Sequence, residues 1–180
     1  MRRGLASRHI VSGRVALSML GVLLAGAACT ADRIERGVFH SGKGYAVSLP
    51  GGDWQVASAA EADLELRRAA PAGGMLADAT CEGRAPGRPA PLLVRQLTYG
   101  LKHRADVRNE DVVVKGRPGA RTTLRGTLDG REVAVDAVSL KGDRCVYDFL
   151  YVAPVDQFES GRAEFQAFVE SLAVAPDGPR

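Results

Sequence analysis

Between Arg121 and Pro154 the chain reads RTTLRGTLDGREVAVDAVSLKGDRCVYDFLYVAP, and no other stretch constrains the fold as strongly. Asp129-Gly130 stands between two β-rich runs as a two-residue hairpin turn, whose central residues need the positive φ angles that aspartate and glycine tolerate. A second turn at Lys141-Gly142-Asp143 leads into a further strand. Along it, alternation puts Cys145, Tyr147, Phe149 and Tyr151 on one face and Val146, Leu150 and Val152 on the other. Apolar residues on both faces predict a central strand covered from both sides.

The flanking sequence extends this pattern. Val38–His40 and Tyr45–Leu49 read as β pieces around the glycine turn Gly42-Lys43-Gly44. ADLELRRA and GMLADATC read as two strands joined through Ala70 to Gly74, with Leu64 and Leu66 on one face. Glu82 to Pro91 is a proline and glycine loop; its Pro86-x-x-Pro89 spacing reads as a stiff connector rather than a polyproline ligand. From Pro91 the spacing of Leu93, Leu97 and Leu101, with Val94 beside them, predicts a helix, and Lys102, His103 and Arg104 then suit the negative end of its dipole. Near the C-terminus, Asp156 followed by Glu159 predicts a capping-box start. Phe158, Phe165, Phe168, Val169 and Leu172 form an apolar stripe at helical spacing, read as core.

The N-terminus predicts export. Arg2, Arg3, Arg8 and Arg14 precede Val15–Ala28, an uncharged run of about fourteen residues, which suits a signal peptide and falls short of the roughly eighteen that a spanning helix needs. Of 24 basic and 21 acidic residues, the four leader arginines have no acidic neighbours, so the mature chain is slightly acidic. A basic-surface case for nucleic acid loses its footing.

Cys29 follows the apolar run where the acylated cysteine of a bacterial lipoprotein stands, although Gly26 replaces the usual leucine. The alternative is cleavage after Ala25-Gly26-Ala27, leaving a soluble secreted protein. Three cysteines in an oxidising compartment leave one odd thiol. Lipidation of Cys29 resolves this and predicts a disulfide between Cys81 and Cys145. Thr30 after the cysteine favours the periplasmic face of the outer membrane in a two-membrane cell.

Gly37, Gly42 and Lys43 match P-loop spacing, but Gly44 stands where a magnesium-binding hydroxyl belongs and a strand follows instead of a helix. No G-x-S-x-G occurs, and His40 and His103 lack a spaced partner. Asp136 and Asp148 fall on neighbouring strands, where they could in principle work as an acid pair, but solvent-facing or hydrogen-bonded strand aspartates are much commoner. No cofactor, metal ligand or catalytic residue is expected.

GYAVSLPGGDW and RCVYDFLYVAPVDQFESGRAEFQAFVESL resemble PsbP-like domains of bacterial envelope lipoproteins of unknown function. The resemblance covers most of residues 38–174 and rests on structural motifs: the glycine-aromatic strand into Pro50, Trp54, and the final strand-helix unit. It implies an antiparallel β-sheet flanked by helices, an α/β/α sandwich. Members of this fold class serve as extrinsic photosystem subunits, as a Ran-binding protein and as envelope lipoproteins, so the resemblance implies binding or accessory work. The expected layout is a signal peptide over 1–28, a lipidated tether over 29–37, one domain over 38–174 and a tail over 175–180. The expected function is a non-catalytic envelope lipoprotein that contacts the membrane through its anchor and takes an envelope protein partner. An enzyme whose site assembles only in three dimensions is the alternative.

Overall fold

The computed structural model describes residues 31–57, 62–82 and 87–175. In chain order the elements are β1 (Arg33–Glu35), β2 (Val38–His40), β3 (Tyr45–Ser48), β4 (Gln55–Ala57), β5 (Leu64–Ala69), β6 (Ala72–Thr80), α1 (Ala90–Gln96), β7 (Lys102–Val114), β8 (Arg117–Leu128), β9 (Arg131–Lys141), β10 (Val146–Pro154), α2 (Phe158–Glu170) and β11 (Ala173–Val174). Seven strands form one antiparallel sheet in the order β4-β5-β6-β10-β9-β8-β7, and β1-β2-β3-β11 form a smaller one. Strand dominates helix throughout.

The meander forms as its turns dictate. Asp129 and Gly130 take φ angles of 50° and 78°, and Leu128 pairs with Arg131 across the turn. β10 lies at the middle of the large sheet, between β6 and β9. Its aromatic face carries the main core. Tyr151 stacks on Phe158 at 5.2 Å and on Phe165 at 5.8 Å, and Phe149 meets Phe168 edge to face at 5.6 Å. From the small sheet, Tyr45 packs edge to face on Tyr147 at 5.6 Å. Burying each of these rings contributes about 1.5–3 kcal/mol before entropy is counted. The Tyr151 hydroxyl donates to the Phe158 carbonyl at 3.0 Å, so the phenol crosses the first turn of α2. A Cβ at position 161 would collide with that hydroxyl, which is why glycine stands inside this helix.

The opposite face of the sheet is covered in part. Ala90 and Val94 of α1 pack on Ala120 and Ala137 with Leu97 and Leu150, and Leu101 joins Leu124, Val133 and Val135. With only seven residues, α1 packs mainly on β8 and β9. One charged pair lies under α2: Asp136 is fully buried and accepts from Arg121 Nε at 2.7 Å and Nη2 at 2.5 Å. Arg121 Nη1 donates to Gln166 Oε1 at 2.7 Å. The hydrogen bonds of Asp136 raise the guanidinium's pKa above its ordinary value, outweighing burial.

Three sequence expectations are corrected. The helix from Pro91 ends at Gln96, and Lys102, His103 and Arg104 open β7 instead of closing a helix. Arg104 still serves α1's exit, donating through Nη2 to the Thr98 carbonyl at 2.5 Å. β7 is an edge strand exposed along almost all its length, so it carries no apolar alternation to read. Its charges and the register shifts after Lys102 and Ala105 are features that blunt an edge strand. The capping box does not form: Gln157 is the N-cap, without a side-chain bond to the helix, and its side chain instead accepts from the Ala72 amide at 2.6 Å. The segment read as a plain tether contains β1, which pairs with β2 through the Arg36-Gly37 turn.

Candidate functional site

Three hairpin turns converge where β10 begins. They are Lys43-Gly44 between β2 and β3, Lys115-Gly116 between β7 and β8, and Lys141-Gly142 between β9 and β10. With β11 and the Cys81–Cys145 disulfide they wall an open cavity of about 320 Å³. Each turn uses its glycine. Gly44 and Gly116 sit at φ 84° and 79°, whereas at Gly142 the ring of Tyr147 lies 2.9 Å from where a Cβ would be. The disulfide spans a Cα separation of 4.0 Å, short of the roughly 7 Å beyond which two cysteines cannot be bridged.

The charged residues that line the cavity are mostly cations: Lys43, Lys115, Arg117, Lys141 and Arg144 against Asp143. Lys43 is neutralised from behind, with its ammonium 2.7 Å from Asp63 and 3.0 Å from Asp78. Burial pulls the Lys43 pKa down, but those two carboxylates outweigh it and hold it above the ordinary value. Lys115 donates to the Ser171 carbonyl at 3.3 Å and Lys141 to the Arg88 carbonyl at 3.0 Å. Among the described residues, neither these two nor Arg117 has a carboxylate within ion-pair distance. Tyr147 forms part of the wall; burial raises its pKa, Arg117 opposes the rise and Asp143 adds to it. The phenol therefore stays protonated and able to donate.

Behind Lys43 lies a buried polar network. Asp63 accepts from Tyr45 Oη at 3.0 Å and from the Ala79 amide at 3.1 Å. Asp148 stands directly opposite Asp78 in the ladder and accepts from Ser139 Oγ at 2.5 Å. Burial pushes the Asp148 pKa up to about 6; Ser139 opposes this and Asp78 adds to it. An acid whose folded pKa lies above its unfolded value loses stability as pH rises from the unfolded pKa through the folded one. The window here runs from about pH 4 to pH 6. Asp148→Asn should therefore flatten the stability profile, gaining on the order of 2 kcal/mol over wild type between pH 4 and pH 7. Denaturant midpoints measured across that range check this, and parallel profiles for the two proteins would contradict it.

The other residues singled out from the sequence do not join the cavity. Asp136 pairs in register with Tyr151 and Asp148 with Ser139, so the two carboxylates lie on opposite faces of the sheet and form no acid pair. His40 sits on β2 and His103 on exposed β7. Cys29, the N-terminal run read as a signal and Pro86 lie outside the described residues. Among the described residues no group of three or more histidine, cysteine or acidic side chains is placed to hold a metal ion, and no helix is long and apolar enough to cross a membrane. At the far end of the sheet the surface is closed by Arg68, which pairs with Glu164 at 2.6 Å and lies 4.4 Å over the Trp54 ring. From the sequence, the turns at Lys43 and Lys141 read only as local punctuation, and Lys115-Gly116 goes unremarked. The signal was compositional: the chain has four lysines, and three of them precede a glycine.

No protein-family model matches the sequence, and no match is found among curated proteins. Solved structures share the backbone. One is a protein from Bacteroides thetaiotaomicron VPI-5482, with a TM-score of 0.58 and 10% identity over 82% of this chain; the match spans about half, 51%, of that longer protein. Another is the cyanobacterial PsbP, CyanoP, of Synechocystis sp. PCC 6803, with a TM-score of 0.57 and 12% identity over 76% of this chain and 91% of its own. At such identities the likeness is one of fold: the chain is similar in backbone to a PsbP protein.

Proposed function

We propose that the chain is a PsbP-like, non-catalytic binding or accessory module of the bacterial cell envelope, anchored by lipid at Cys29. The observation that carries this reading is the Cys81–Cys145 bridge set in the wall of a preformed, open cavity. Such bridges persist in exported proteins and are rare in reducing compartments. Their pairing leaves Cys29, beside the export leader, as the one cysteine still to be accounted for. A concave site held by rigid hairpins supports binding. The placement of α1 and α2 on opposite faces of the large sheet supports a sandwich of the PsbP kind. Thr30 favours the periplasmic face of the outer membrane, with an envelope protein as a candidate partner.

Labelled palmitate supplied to growing cells should enter the wild-type protein and not Cys29→Ser. Equal labelling of both, or of neither, would contradict the anchor.

A further inference from the structure

The chain carries its positive charge almost entirely as arginine, yet three of its four lysines line one cavity of about 320 Å³, each on its own Lys-Gly turn. Lys102 alone lies elsewhere. Lys115, Arg117 and Lys141 line this one cavity, and among the described residues none of them has a carboxylate within ion-pair distance. Like charges gathered at one site repel and lower the stability of the domain, and salt screens that repulsion. Lys115 bears a second cost, since φ of 48° is unfavourable for a side chain other than glycine, asparagine or aspartate.

Deepening the binding-module reading and resting on it, we propose that this cavity is a phosphate-binding site, taking a phosphate monoester or diphosphate group between Lys115, Arg117 and Lys141. The ammonium groups supply point charges and Arg117 a planar fork that matches two phosphate oxygens. The Tyr147 hydroxyl adds a neutral donor from the wall. Pro118 and Val174 give an apolar margin on which a glycerol or acyl portion can rest. Lys43 belongs to the rim as a structural cation, because Asp63 and Asp78 already balance it. Asp143 disfavours a second anion beside the first.

The test uses the full-length protein extracted from its envelope and the double variant Arg117→Gln/Lys141→Gln. Calorimetric titration is run with inorganic pyrophosphate, glycerol 3-phosphate and dihexanoyl phosphatidate below its micelle concentration. The wild type should bind at least one probe, with affinity falling as salt rises, and the variant should bind it roughly tenfold or more weakly, as expected for loss of a charge-assisted hydrogen bond. Tighter binding of the phosphatidate than of glycerol 3-phosphate identifies a lipid headgroup as the source; equal or weaker binding identifies a soluble ester. Without ligand, the variant should melt at a higher temperature than the wild type, and added salt should narrow the gap. Absence of binding to all three probes overturns the proposal, as does equal binding by wild type and variant. If the protein drawn from its envelope nevertheless carries another ligand in the cavity, the phosphate assignment fails while the binding-module reading stands.

Discussion

Replacing both Cys81 and Cys145 by alanine is expected to lower the stability of the domain by about 4 kcal/mol. The bridge closes a loop of 64 residues, and that loop contains α1, β7, β8 and β9, so its main effect is to restrict the unfolded chain. It also ties the end of β6 to the start of β10, two strands already paired in register up to Thr80 and Val146. The native geometry therefore changes little when it is removed. The melting temperature should fall by on the order of 10 °C. Equilibrium denaturation of wild type and variant, with and without reductant, checks this. Reductant should bring the wild type down to the variant and leave the variant unmoved. Coincident curves for oxidised wild type and variant would show that the bond contributes nothing.

The second large effect belongs to Asp136, whose side chain has no exposure and whose two oxygens are both taken by Arg121. Asp136→Ala leaves a guanidinium under α2 with Glu110 3.9 Å away as its nearest carboxylate. Breaking a buried pair from one side costs about 3–5 kcal/mol, because the remaining charge stays desolvated. Replacing both partners by residues of similar shape removes that penalty. Arg121→Met/Asp136→Leu should accordingly recover most of the loss, since Val138 and Val169 already supply apolar neighbours. Denaturant titrations of the two variants decide between this and a purely steric account, under which the double variant would be the less stable of the two.

The contrast between these two predictions bears on how far the sequence could be read. The cysteine pairing follows from counting thiols in a chain whose N-terminus reads as an export signal. The hairpin at Asp129-Gly130 and the aromatic face of β10 follow from rules that act over a few residues. Arg121 and Asp136 are different. They sit on neighbouring strands, but a lone aspartate in a β run looks the same whether it faces solvent or a buried guanidinium. β7 escaped for a related reason: both its faces are wet, so the alternation that marks a half-buried strand is absent. Its leading Lys102-His103-Arg104 cluster satisfied a helix-end rule just as well. The cavity is the extreme case. Its turns are distant in sequence: those at Lys115 and Lys141 come together through the order β10, β9, β8 and β7 across the large sheet, and the Lys43 turn joins them from the small sheet. Lys43 and Lys141 were visible as turn residues, yet nothing local says that Lys115 will stand beside them.

At the proposed site, Lys115 stands at a positive φ that is unfavourable for its side chain, while the bridge at Cys81 and Cys145 lies in the same wall and opposes that cost. The measurement that tests the account most directly is native mass spectrometry of the full-length protein released gently from its own envelope, compared with Arg117→Gln/Lys141→Gln prepared in the same way. The account predicts an acylated chain beginning at Cys29, no thiol open to alkylation before reduction, and a non-covalent adduct carried by the wild type and missing from the variant. An unacylated chain, alkylated Cys81 and Cys145, or identical bare masses for the two proteins would contradict it.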